Sequence, residues 1–278
     1  MESNMKKLGV IMALAGVYLF TFMGASIQAA ENPMPEGREV STNSEHYRLI
    51  SVDGRELKHG AYTRTYANGR KAEEGSYVHG EKDGTWTYWN KAGKKIMEEN
   101  YARGQRQGPW VKWYDNGQKA FEGDFDSGKP VGIHREWRMD GARQAEVVYT
   151  KKNGVVYGHK KTWYPDGKSY TDYELADGRM HGGYASWHRN GQKNVRCAYD
   201  RGQRNGLYQE WYANGKLKMV CTYDHGRRVG EFTQWYENGR KHTSGVYRNG
   251  KDGLWTTWDK AGQILSQQRY KDGKRVQE

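Results

Sequence analysis

Large aliphatic side chains are scarce in this sequence. Leu, Ile, Val and Phe together number 37 of 278 residues, below the roughly 20% that, at high net charge, marks chains unable to bury a core. That scarcity excludes a Leu/Val-rich α/β enzyme and a helical bundle. Proline is scarce too, at five residues, which excludes collagen-like and polyproline chains. Two cysteines cannot build the dense disulfide framework of a small secreted domain. Neither His-Glu-x-x-His nor Gly-x-Ser-x-Gly occurs, and the nine histidines fall at unrelated places, so no catalytic residue, metal ligand or cofactor is expected. Aromatics and glycine are abundant instead, with 11 Trp, 21 Tyr and 36 Gly. Such a Trp and Tyr content does not belong to a disordered chain. Together these features predict thin, turn-rich β structure.

The N-terminus reads as a targeting segment. Lys6 and Lys7 precede an uncharged run over 8–30 that ends in small residues, the pattern of a secretory signal peptide cleaved after Ala29. An uncleaved anchor is the alternative, because 23 uncharged residues can cross a bilayer core of ~30 Å. Either way the rest of the chain is expected to be exported: periplasmic, envelope-associated or secreted. Residues 30–45 are polar and read as a linker. Residues 46–59, with Asp53-Gly54 at a turn, read as a degenerate N-terminal cap.

An internal period organises the remainder. Gly60, Gly84, Gly108, Gly132, Gly158, Gly182, Gly206, Gly230 and Gly253 each open a unit, at steps of 24 except one of 26 and one of 23. Counting from that glycine, position 3 is aromatic in seven units, from Tyr62 to Trp255, and position 6 is Trp in eight, from Trp89 to Trp258. These two positions hold all 11 tryptophans. Position 10 is always Gly, and position 18 is Tyr or Phe in eight units. Asn-Gly at positions 9 and 10 (Asn68-Gly69, Asn116-Gly117, Asn190-Gly191, Asn214-Gly215, Asn238-Gly239) predicts a type I′ turn between strands at positions 2–7 and 12–19. Alternation then puts position 3 on one face and position 6 on the other, so ladders of rings replace an aliphatic core. The expected fold is all-β: an elongated antiparallel array of about nine β-hairpin units over 60–278, in a single twisted sheet. The two residues added in the 26-residue unit, around Lys151-Lys152-Asn153-Gly154, read as a longer loop.

The string Gly108-Pro-Trp-Val-Lys-Trp-Tyr-Asp-Asn-Gly-Gln-Lys, with Phe125 and Gly128 beyond it, resembles the MORN repeat in its bacterial variant form, and similar strings run over 206–226 and 230–250. The resemblance covers 60–276. It implies an antiparallel β meander that binds partners and has no active site. Proteins with this variant repeat are often labelled YwqK-type antitoxins, which implies a cytoplasmic, partner-neutralising role; an export signal departs from that pattern. MORN repeats elsewhere imply lipid or protein binding.

Cys197 and Cys221 both occupy position 16 of adjacent units. In a meander of hairpins they stand two strands apart, ~9.6 Å, beyond the reach of a disulfide, so two free thiols are expected; a solenoid with one coil per repeat would stack them ~4.8 Å apart and allow a bond. Charge is uneven. Residues 31–181 sum to +2 and residues 182–278 to +9. Position 15 is acidic in the first five units (Glu74, Glu98, Glu122, Glu146, Asp172) and then becomes Arg196, Val220, Ser244 and Gln267. Five equivalent acids read as a solvated row and not as one catalytic carboxyl. The candidate binding residues are therefore the basic ones of the last four units: Arg196, Arg204, Lys216, Lys218, Arg227, Arg228, Arg240 and Lys241. The partner expected is a protein, with anionic lipid or an envelope glycan as alternatives. An antitoxin-like role and a homodimer through sheet edges stay open. Nucleic acid is not expected, because export removes it.

Overall fold

The computed structural model describes residues 36–276; the expected signal peptide lies outside them. The described residues form 22 antiparallel strands in one open sheet, each strand paired with its neighbour in the chain. Hairpin repeats are therefore the architecture. The stretch expected to be a linker is partly structured: Gly37–Ser41 is a strand paired with Glu45–Val52. Polarity alone had suggested a linker, but an exposed two-faced edge strand needs few apolar residues. Asp53-Gly54 turns the next hairpin, between Glu45–Val52 and Arg55–Thr65.

The turn chemistry differs from expectation. At the Asn-Gly turns only glycine has positive φ, as with Gly69 at 78°. Tyr66 N–H donates to Arg70 O while Gly69 N–H donates to Tyr66 O, so the loop has three residues and closes with a left-handed glycine. Asn68 is used differently: its amide donates to Lys91 O of the next unit at 3.0 Å and its Oδ1 accepts from Arg70 N–H. Asn116, Asn190, Asn214 and Asn238 donate to the next unit in the same way. The two-residue type I′ turns lie at the opposite edge, at positions 20 and 21. There His79-Gly80, Arg103-Gly104, Ser127-Gly128 and their equivalents have positive φ at both residues, between closing pairs such as Val78 and Glu81.

The 26-residue unit has no longer loop. Elsewhere a bulge at the opening glycine interrupts the ladder, as between Glu74 and Ser76 opposite Thr87 and Asp83. Here the two added residues fill that bulge, and Ala145 to Lys152 pair without a break against Thr162 to Val155. Asn153-Gly154 remains a two-residue turn.

One face of the sheet is the core. Position 3 pairs with position 16 (Tyr62 with Gly75, Trp86 with Glu99), and Tyr62, Trp86, Tyr208, Phe232 and Trp255 are buried. The sheet is one layer thick, so each ring is covered by the next unit. Where the next unit's ring settles directly onto position 16, that residue is glycine. A Cβ on Gly75 would stand 2.3 Å from the Trp86 ring, and one on Gly245 2.3 Å from Trp255. Cys197 and Cys221 fill the same position as small apolar residues. They are free and buried, with Tyr208 pairing Cys221 from the strand between them. Burial pushes both thiols up in pKa.

A second ladder joins the units at position 7. The hydroxyls of Tyr66, Tyr114, Tyr164, Tyr212 and Tyr236 donate to the carbonyl of the next unit's position-6 tryptophan at 2.8–2.9 Å. Arg138 and His188 reach the same acceptor in their units. Each such bond contributes about 0.5–1.5 kcal/mol net, and in a quasi-one-dimensional array these terms accumulate between nearest neighbours.

Candidate binding surfaces

The eight basic residues singled out in the sequence do not converge on one patch. Arg204 and Arg228 belong to the ring face. The Arg204 guanidinium lies 4.9 Å from the Tyr208 ring centre, and that of Arg228 lies 5.4 Å from Phe232 while donating to Tyr223 Oη at 3.2 Å. Lys218 is also on this side, 2.6 Å from Glu210 Oε1. Lys216 and Arg240 lie at the Asn-Gly edge and donate to backbone carbonyls of the following unit: Lys216 to Asn238, Arg240 to Lys260 and Ala261. Arg227 lies exposed at the opposite edge, beside the turn that its pairing with Asp224 closes. Only Arg196 and Lys241 share the outer face, where Lys241 Nζ stands 5.9 Å from the Trp258 ring.

The placement of Arg204 and Arg228 follows a rule that extends along the chain. Lys58, Lys82, Arg106, Arg204, Arg228 and Lys251 all stand two residues before an opening glycine, and each lies over the position-3 ring that follows, as Lys82 does over Trp86 at 4.0 Å and Lys251 over Trp255 at 4.6 Å. Cation–π contacts of this kind contribute about 0.5–2 kcal/mol as desolvation increases. These cations roof the aromatic core. Burial lowers the pKa of Lys82.

The outer face carries the position-6 tryptophans, all half-buried, and it changes character along the chain. In the first units the acids of position 15 pair with the cations of position 12: Lys71–Glu74 at 2.7 Å, Lys95–Glu98 at 2.7 Å, Lys119–Glu122 at 2.8 Å and Arg143–Glu146 at 3.6 Å. Arg135 links two units by reaching Glu122 and Glu146, each at 3.0 Å. The same cations lean on the next tryptophan, with Lys95 Nζ 5.7 Å from the Trp113 ring. The Lys119 ammonium, with Arg135 beside it, holds the Glu122 carboxyl below its ordinary pKa.

From residue 182 onward that ladder is gone. Positions 12 and 15 become Lys193 and Arg196, Leu217 and Val220, Lys241 and Ser244, Ile264 and Gln267. Exposed apolar residues lie on this face without the pairs: Leu207 is 53% exposed and Leu254 44%, and Ile264, at position 12 itself, 57%; in the first half Ile133 and Val148 hold the places of Leu207 and Val246, beside the ion pairs. Val246 is exposed as well. The sequence showed the loss of acid at position 15. It did not show what those acids had been neutralising.

Two stretches match a family model described as the MORN repeat variant, residues 204–225 and 251–272. Both begin at a roofing cation, Arg204 or Lys251, and run through one hairpin. No curated protein matches the chain. Among solved structures, similarity extends to a Staphylococcus aureus TarM variant in complex with Fondaparinux, α-GlcNAc-glycerol and UDP, at 14% identity over 40% of this chain and 19% of that one, with a TM-score of 0.20. It also extends to TcdB2-TccC3-TEV, at 11% identity over 80% and 13% with a TM-score of 0.19, and to a Photorhabdus luminescens Tc holotoxin pore, at 13% over 77% and 14% with a TM-score of 0.19. This chain thus spans less than a fifth of those proteins, and likeness at this level does not bear on function.

Proposed function

We propose that this chain is an exported, non-enzymatic binding module whose outer face over residues 182–276 receives a protein partner. The observation that carries this reading is the loss of the ion-pair ladder from the tryptophan-bearing face, which leaves Leu207, Val246, Leu254 and Ile264 exposed there without the ladder's Lys–Glu pairs. Exposed apolar side chains among polar ones suit an interaction surface, and half-buried Trp beside aliphatics suits the centre of an interface. Arg196 and Lys241 supply a basic rim that selects an acidic or neutral partner. Membrane attachment through the basic residues is less well supported, since five of the eight are held by rings, a carboxylate or backbone carbonyls.

The test places a photo-crosslinking residue at Val220 or, for comparison, at Glu98 in the full chain, and exposes each to envelope and secreted fractions. A single stoichiometric protein adduct from Val220 and none from Glu98 is the expected result. Equal capture from both positions, or salt-sensitive pelleting with anionic vesicles in place of any protein adduct, would overturn it.

A further inference from the structure

The ring face has one unit that breaks its own rule. Ring contacts run from Trp110 through Phe121 and His134 to Tyr149, and again from Tyr173 through Tyr184 to Tyr199. Between them position 3 is Lys160. The roofing cation is absent from this unit and from both its neighbours, where Pro130, Val156 and Met180 stand in its place. Lys160 does not fill the space a ring would take; its ammonium turns to Glu136, 3.8 Å from Oε1. A cleft of about 400 Å³ remains, lined by Glu136, Lys160, Gln144, Tyr170, Tyr173 and Tyr184 among others. That volume falls within the range of small-ligand sites.

The lining limits what can enter. Arg138 Nε is buried at the cleft without a hydrogen-bond partner, while Arg138 Nη2 is held by Trp163 O at 2.7 Å. The Glu136–Lys160 pair and the Gln144 amide also face the space. A purely aromatic occupant would desolvate these groups without partners, at roughly 1–3 kcal/mol each. A polyanion would meet Glu136, and a polycation would meet Lys160 and Arg138. An occupant with one flat apolar face and hydroxyls that both donate and accept satisfies all of them. Its C–H face would lie on Tyr173 or on Tyr170, which is 45% exposed. We infer that this cleft binds a pyranose ring of a carbohydrate, in the place where the repeat would otherwise carry its own aromatic ring. The site lies on the face opposite the proposed protein-binding surface, and its failure would leave that surface untouched.

Saturation-transfer difference NMR on the full chain tests this, with cellotriose, chitotriose and tri-galacturonate as separate probes and 4-nitrophenol as the aromatic control. Saturation of pyranose ring protons in at least one trisaccharide is expected. Lys160→Trp returns a ring to this position, opposite Val147, and fills the cleft, so binding should weaken by about tenfold or more. Tyr170→Ala removes an exposed ring and should weaken binding by a similar factor without unfolding; it also covers the case in which Lys160→Trp fails to fold. Which trisaccharide responds separates neutral, N-acetylated and acidic sugars. No transfer to any of the three at millimolar concentration, transfer undiminished in the variants, or uptake of 4-nitrophenol alone would overturn the assignment.

Discussion

The outer faces of the two halves share a backbone and a tryptophan row, yet they are chemically different. In the first half Trp89, Trp113 and Trp163 sit beside a Lys–Glu or Arg–Glu pair, such as Lys95–Glu98 by Trp113. In the second half the equivalent places hold Leu217 and Val220, or Lys241 and Ser244. The ring faces do not diverge in this way: Trp86 over Gly75 and Trp255 over Gly245 are near-copies. A repeat can therefore keep one face for folding and vary the other. The face that varies is the better guide to function, since stability does not require the variation.

The largest effects should be equal in the two halves, because the shared core produces them. Trp86→Ala and Trp255→Ala should each cost about 3–5 kcal/mol by loss of a buried ring, read as local loss of hydrogen-exchange protection in the flanking hairpins. A marked difference between them would break the claim that the cores are equivalent. Smaller and again symmetric is the position-7 ladder. Tyr66→Phe and Tyr236→Phe each remove one donor to a tryptophan carbonyl and should cost about 1 kcal/mol in urea unfolding.

The asymmetry should appear on acidification. The Glu122 carboxyl is held below its ordinary pKa, by Lys119 first and by Arg135. A depressed carboxylate stabilises the fold above its unfolded pKa, about 4.3, and that contribution is lost as pH falls through the folded value. Exposed pairs contribute about 0.2–1 kcal/mol each, so the effect is the smallest of the three. Exchange protection around residues 119–146 should fall below about pH 4.3, while residues 206–247, which lack the ladder, should change less. Equal loss in both halves would blunt the contrast.

Much of this could be read from the sequence because the period is strict. Nine opening glycines and all 11 tryptophans fixed in register define hairpins and two ring-bearing faces, and the hairpin spacing alone separates Cys197 from Cys221. Turn type could not be read in the same way. Asn-Gly suits a type I′ turn, but it equally suits a three-residue loop in which the Asn amide grips the next unit. The ion-pair ladder was hidden by a bulge. Lys71 and Glu74 are three apart and would face opposite sides of a regular strand, but the irregularity between Arg64–Glu73 and Thr65–Lys71 brings them to the same side. The roofing role of Arg204 and Arg228 did have a signal, their constant place two residues before the opening glycine. Nearness to a turn made them read as free surface charge.

The most direct test of the central claim transplants the first half's outer face onto the second. Leu217→Lys with Val220→Glu recreates the pair that Lys71 and Glu74 make, and Ser244→Glu adds a partner for Lys241. With the photo-crosslinker moved to Leu207, capture of the protein adduct should be lost in this triple variant while the melting temperature changes little. Undiminished capture at unchanged stability would contradict the account, because the apolar outer face would then be dispensable for binding.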